Sequence, residues 1–185
     1  MREIQSTRLL ALYLRPQRFG FAVFKGPKQL LDWGGSTYAS ENNVEPVLVC
    51  KRISSLLTIY APSVIVVRKL TKRERQRYGD IQPIVGVVRK LAEKHSSELV
   101  LVGREEVRSA FQRFGKTTKY NVAAQIAIFF PELTWKLPPP RKLWQKEHHN
   151  MAIFDAASLG IAYFSRFGKF ELDVQNVAEY FEPAA

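Results

Sequence analysis

The sequence predicts an α/β fold in which an antiparallel strand region is continued by strand–helix–strand units. Three strand-like segments separated only by turns fill the first 38 residues. The apolar period then switches to three- and four-residue steps, the mark of a helix. After Pro62, two further apolar runs alternate with helical stretches, as in parallel strand–helix–strand units. At 185 residues the chain is of single-domain size and long enough to bury a core without disulfide or metal staples.

Each element has its own warrant. Residues 7–13 (TRLLALY) and 18–25 (RFGFAVFK) read as strands, the second apolar on both faces. Residues 28–38 follow the turn signal Gly26-Pro27 and read as a third strand, with Gly34-Gly35 marking a bulge or bend. Val44, Val47, Leu48, Ile53, Leu56, Leu57 and Tyr60 predict a helix over 41–60, capped by Ser40 and ended by Pro62. Residues 63–68 (SVIVVR) form a continuous apolar run, as a strand buried on both faces would. A helix over 80–95 starts at Asp80 with Pro83 in its first turn. Residues 98–102 (ELVLV) are the fifth strand. Two short helices, 104–113 and 117–130, are split by residues 114–116. Residues 131–146 are Pro-rich and read as a loop. The last helix, 148–167, carries Ala152, Ala156, Ala157 and Gly160 on one face. The domain is expected over 1–168, with an acidic tail over 169–185.

Composition narrows the function. Lys plus Arg number 28 and Asp plus Glu 17, a net charge of +11. Residues 68–77 carry six bases against one acid, and residues 136–146 four bases and no acid. Concentrated positive charge attracts phosphate backbones through counterion release. No apolar run reaches the ~20 residues of a membrane span, and the N-terminal stretch lacks the pattern of a signal peptide; a cytoplasmic protein without membrane partners is expected. The single Cys50 excludes an internal disulfide framework and a multi-cysteine zinc site. No Gly-rich phosphate loop, GxSxG or HExxH occurs. His148-His149 are adjacent, and neighbours on a helix point about 100° apart, so they read as polar residues near a helix end. Asp155 stands out, a carboxylate on the apolar stretch IFDAASLGIAYF. It needs a partner or a metal, because desolvating it alone is costly.

Four stretches resemble the RuvC-type Holliday-junction resolvases of the RNase H-like superfamily. They are LLALYLRPQRFGFAVF (9–24), VIVVRKL (64–70), residues 80–111 with GKTTKYNVAAQIA (115–127), and FDAASLGIAY (154–163). The resemblance implies a five-stranded mixed sheet, three antiparallel strands followed by two parallel ones, flanked by helices. It also implies four carboxylates holding two Mg²⁺ or Mn²⁺ ions, which activate a water and stabilise the leaving oxygen. The family's first-strand Asp falls at Tyr13, or in slipped registers at Leu14 or Arg15. Its fourth-strand Glu falls at Val67 or Arg68. Asp155 is kept, and Ser158 stands where the other acid of the last helix would be. Residues 7–25 and 60–73 contain no Asp or Glu in any register. Tyr13, Arg68, Asp155 and Ser158 therefore read as degenerate catalytic positions, with Asp155 the one candidate metal ligand and Arg68 its expected ion-pair partner. Asp32, Asp80, Glu105 and Glu106 are the acids available to a displaced site.

The nucleic-acid-binding residues the resemblance implies are better preserved. They are Lys69, Lys72, Arg73, Arg75 and Arg77 after the fourth strand, and Lys116, Lys119 and Tyr120 in GKTTKY, where a Gly-containing turn opening a helix would suit a phosphate. Arg141 and Lys142 join them beside Trp135 and Trp144, rings that read either as a binding surface or as a lid over the cleft. Phe111, Phe114 and Tyr120 interleave with bases as stacking rings would, although core packing accounts for Phe111. The expectation is a RuvC-like protein that binds branched or duplex DNA, or structured RNA, as a homodimer, without cutting and without a cofactor. One alternative is an active Mg²⁺- or Mn²⁺-dependent nuclease with displaced ligands. Another is an assembly protein whose basic face meets an acidic partner.

Overall fold

The computed structural model describes residues 7–16, 18–37, 46–77, 82–142 and 144–167. Strands β1 (Arg8–Arg15), β2 (Arg18–Lys25) and β3 (Leu30–Thr37) form an antiparallel meander. Helix α1 (Pro46–Tyr60) leads to β4 (Val64–Arg68). The short helix α2 (Lys72–Arg77) and then α3 (Gln82–Lys94) lead to β5 (Glu98–Val102). Helices α4 (Arg104–Phe111), α5 (Lys119–Phe129) and α6 (Met151–Arg166) follow, with 3-10 turns at Gln112–Phe114 and Pro131–Lys136. The five strands lie in the order β3-β2-β1-β4-β5. β1 pairs antiparallel with β2 and parallel with β4, and β4 pairs parallel with β5, so the mixed sheet is the expected one.

The apolar runs of β1 and β4 are explained by two cores. Leu10, Leu12, Ile65 and Val67 face one side with Ile53 and Leu57 of α1 and Val88 of α3. Leu9, Ala11, Tyr13, Val64 and Val66 face the other, under α4, α5 and α6. Because side chains alternate along a strand, Tyr13 shares its side with Leu9 and Ala11, and Arg68 shares its side with Val64 and Val66. Both strand ends therefore open toward α6.

α6 is almost wholly buried, and small residues let it lie close to the sheet. A Cβ on Gly20 of β2 would come within 2.0 Å of the Ala152 carbonyl oxygen, and one on Gly160 within 2.4 Å of the Phe24 ring. That contact sets the height of Asp155 above the ends of β1 and β4.

Several boundaries differ from expectation. The irregularity in β3 falls at Leu31, where the register shifts between Val23 and Phe24. Gly34 and Gly35 stay in the ladder, and Gly34 makes room for the Phe21 ring, 2.6 Å from where its Cβ would stand. The Pro-rich stretch begins with a 3-10 turn rather than a loop, because Leu133 is fully buried and Thr134 Oγ1 donates to the Ala127 carbonyl at 3.2 Å. α6 starts at Met151, with the His148 and His149 rings stacked at 4.2 Å just before it. The Ser40 and Asp80 caps and the tail after 168 lie outside the described residues.

Candidate nucleic-acid interface

The ends of β1 and β4, the start of α5 and the middle of α6 enclose a cleft of about 690 Å³. It brings together Tyr13, Arg68, Asp155 and Ser158, the four positions singled out by the sequence resemblance, with Lys116 and Lys119. Convergence of residues so far apart in sequence follows from strand parity on β1 and β4 and from the seating of α6. Lys69, Lys72, Arg73, Arg75, Arg77, Tyr120, Arg141 and Lys142 are not in its wall. Of these, the α2 bases Lys72, Arg73, Arg75 and Arg77 are exposed on a helix with no buried residue, and Arg141 and Lys142 are exposed after the Pro-rich segment.

At the floor of the cleft Lys119 takes the place expected of Arg68. Its Nζ donates to Asp155 Oδ2 at 2.8 Å and to Glu147 Oε1 at 2.6 Å. Glu147 is held from the other side by Arg18, whose guanidinium reaches Glu147 Oε2 at 3.2 Å and its carbonyl at 2.6 Å. Arg68 turns instead to Glu74. Thr71 and Glu74 form a reciprocal cap at the start of α2: the Glu74 amide donates to Thr71 Oγ1 at 3.2 Å, and the Thr71 amide donates to Glu74 Oε2 at 3.0 Å. This cap folds the Glu74 carboxylate back over the end of β4, within reach of Arg68. The expected Asp155–Arg68 pair is therefore replaced by two pairs. The Thr-x-x-Glu spacing at 71–74 was the sequence signal for the second.

Tyr13 lies under this network. Its hydroxyl accepts from Arg15 Nε at 2.8 Å, and Arg15, Arg68 and Lys119 stand 5.6, 5.8 and 5.6 Å from its ring centroid. The Ser158 hydroxyl donates to the Asp155 carbonyl at 2.7 Å, inside the helix. Burial raises the Asp155 carboxyl above the ordinary range, and Lys119, together with a hydrogen bond from Tyr13, opposes this only in part. Burial also works against the Lys119 ammonium, but the charge of Asp155 and the bonds to Asp155 and Glu147 outweigh it and hold Lys119 above the usual lysine value. Glu147 is lowered, because the Lys119 bond and the charges of Lys119, Arg18 and Arg15 exceed the effect of burial. Burial and then the negative charge of Asp155 raise the Tyr13 phenol.

A two-metal carboxylate clamp does not fit this donor set. Hard divalent ions need several oxygen ligands. Here Asp155 is the one acid among the four family positions, and an ammonium already bridges it to Glu147. Two guanidinium groups stand over the adjacent tyrosine. Among the described residues no three His, Cys, Asp or Glu side chains cluster as metal ligands would. The other acids considered lie elsewhere: Asp32 accepts from the Tyr60 hydroxyl at 2.9 Å, Glu105 pairs with Arg108, and Glu106 accepts from the Gly103 amide at 2.7 Å and pairs with Arg166. Asp80 lies outside the described residues.

The chain shares this architecture with solved structures. RuvC of Thermus thermophilus in complex with Holliday junction substrate matches with a TM-score of 0.63 at 15% identity, over 88% of this chain and 96% of that one. A second Thermus thermophilus RuvC structure matches with a TM-score of 0.63 at 16% identity, over 88% and 97%. The yeast mitochondrial Holliday junction resolvase Ydc2 matches with a TM-score of 0.55 at 11% identity, over 86% and 78%. The fold is the RuvC-type RNase H-like fold. No protein-family model and no curated protein sequence matches the chain.

On this fold the remaining DNA-directed expectations divide. Gly115 (φ 106°) ends the 3-10 turn at Gln112–Phe114 rather than opening α5, whose cap is Thr118, accepting from the Asn121 amide at 3.2 Å. Lys119 points inward to acids, so its charge is engaged within the chain. Phe111 is buried, and Phe114 packs edge-on against Phe111 and Phe129 at 6.4 and 5.1 Å, so neither is a free stacking ring. The cleft adds bases the motifs did not indicate: Arg15, Arg104 and Arg108 on its rim, beside Lys116. Glu147 had no sequence signal at all. Trp135 and Trp144 are 72% and 79% exposed, so they are not a lid. No helix among the described residues is long and apolar enough to cross a membrane.

Proposed function

We propose that this chain binds branched nucleic acid, four-way DNA junctions above all, and holds it without cutting. The observation that carries this reading is the Lys119 ammonium bridging Asp155 and Glu147, where a RuvC-type nuclease would need metal-bound carboxylates. The acids are neutralised from within, while Arg15, Arg104, Arg108 and Lys116 leave the wall of the cleft basic. That suits phosphates arriving without a metal. The related Thermus RuvC is solved with a Holliday junction substrate, and the exposed bases of α2 extend the positive surface beyond the cleft. A four-way junction has two-fold symmetry, so two copies of the chain per junction are the expected assembly.

The test is a titration against a four-way junction and a linear duplex of equal length, with and without Mn²⁺, read for binding and for cleavage. The expected result is junction preference, a steep salt dependence, two chains per junction and no cut strand. Equal affinity for both substrates overturns junction recognition. Weak binding without preference points to a scaffold with an acidic partner. Mn²⁺-dependent cutting abolished by Asp155→Ala overturns the non-cutting reading and assigns Glu147 and Asp155 to a displaced metal site.

A further inference from the structure

We infer that Trp135 and Trp144, with Lys136, Arg141 and Lys142 beside them, form a second nucleic-acid site, one that takes unpaired nucleotides by stacking bases on the two rings. It rests on the proposed function for the class of ligand but not for the cleft. Tryptophan is among the most buried side chains on average, yet here two rings are 72% and 79% exposed within ten residues of each other. Folding gains nothing from that exposure. Each ring has an ammonium over it: Lys136 Nζ lies 3.9 Å from the Trp135 centroid, and Lys142 Nζ 5.4 Å from that of Trp144.

The described residues around the rings are anchored at three points. Leu133 is buried in the core, Asn150 Nδ2 donates to the Lys136 carbonyl at 3.0 Å, and the Gln145 side chain accepts from the Lys142 amide at 3.0 Å. Glu147, immediately after Lys146, is tied to Lys119 at the cleft floor. The indoles are thus presented on a supported platform attached to the cleft. Residues 136–146 contain four bases and no acid.

A protein partner with an apolar patch would also accept exposed indoles, but it gives no reason for the four bases that follow Trp135 and surround Trp144, where Glu132 is the one acid of residues 131–146. Unpaired nucleotides account for both features: every base has a π-face for the rings, and every linkage has a phosphate for the lysines and arginine. A branch point supplies such nucleotides wherever its arms open.

The experiment uses the full chain with two probes, a 15-nucleotide oligo-dT and the intact four-way junction. Indole fluorescence is recorded with anisotropy, for the wild type, Trp135→Ala, Trp144→Ala, the double variant, and Trp135→Phe with Trp144→Phe. The wild type is expected to bind oligo-dT with quenching. Each alanine should weaken this by about tenfold, the scale of one lost base–aromatic stack, and the phenylalanine pair should restore most of it. The thermal midpoint should not move, since neither ring is buried. Unchanged oligo-dT affinity in the double variant overturns the inference while leaving the cleft reading intact. Oligo-dT binding that depends on the rings, in a protein indifferent to junctions, supports the inference and overturns the cleft reading. Self-association of the wild type that the double variant abolishes, without oligo-dT binding, assigns the rings to a chain–chain contact and overturns it.

Discussion

The cleft floor and the outer basic surface are built from the same residue types and treat them oppositely. In and behind the cleft floor, Lys119, Arg68 and, from the far side of Glu147, Arg18 each meet a carboxylate of the chain itself, so their charge is answered before any ligand arrives. On α2 and after the Pro-rich turn, Lys72, Arg73, Arg75, Arg141 and Lys142 stand in solvent, in none of the ion pairs among the described residues. A net charge of +11 therefore does not measure binding capacity. Inner bases hold the site together, and outer bases keep their charge in solvent.

The sharpest way to break the comparison is to disturb the seat of the floor. Gly20→Ala places a methyl against the Ala152 backbone, which cannot swing aside as a flexible side-chain end would. The expected cost is about 3 kcal/mol, read as a lower urea midpoint with an unchanged slope.

Lys119→Met comes next. It leaves Asp155 and Glu147 facing each other without their shared cation. Breaking a fully buried pair costs about 3–5 kcal/mol. Lys119 is 42% exposed, so about 2 kcal/mol is expected after solvent screening. If thermal melting shows no loss, the ammonium bridge is not what holds the floor.

A pH titration of stability separates the acids of the floor. Glu147 and Glu74 have folded values below the ordinary 4.5. Their contribution is present above pH 4.5 and lost as pH falls through the lowered values. Asp155, whose folded value is raised above 3.8, runs the other way: its contribution is present below 3.8 and lost as pH rises through the raised value. Glu147→Gln should flatten the loss on the acid side, measured by urea unfolding between pH 5 and pH 2 (roughly the span over which such acids titrate). An undiminished acid loss in that variant would remove Glu147 from the account.

The smallest effect on stability is expected at the outer surface. Replacing Lys72, Arg73 and Arg75 together by Ala should change stability by less than about 0.5 kcal/mol. The same variant should lower the salt slope of junction binding by about three, one per phosphate contact. An unchanged slope would mean that α2 lies off the path of the nucleic acid.

Strand runs, helix periods and their order determined the architecture, because a strand buried on both faces must be apolar throughout and a packed helix must repeat at three or four residues. The absence of acids from residues 7–25 and 60–73 likewise determined that no carboxylate clamp could be built on β1 and β4, whatever the register. The positions Tyr13, Arg68, Asp155 and Ser158 were legible as a group for the same reason: strand parity and one helix face bring them together. Which base meets which acid was decided by the tertiary structure alone. Asp155 takes Lys119 rather than Arg68 because a local Thr71–Glu74 cap captures the arginine and the start of α5 brings the lysine over α6. Glu147 joins them from 28 residues beyond Lys119. Ion pairs depend on where backbones 30 or 130 residues apart come to rest, and no local pattern encodes that distance. The exposure of Trp135 and Trp144 belongs to the same class: their composition suited a lid or a surface equally, and only the tertiary structure leaves both rings in solvent.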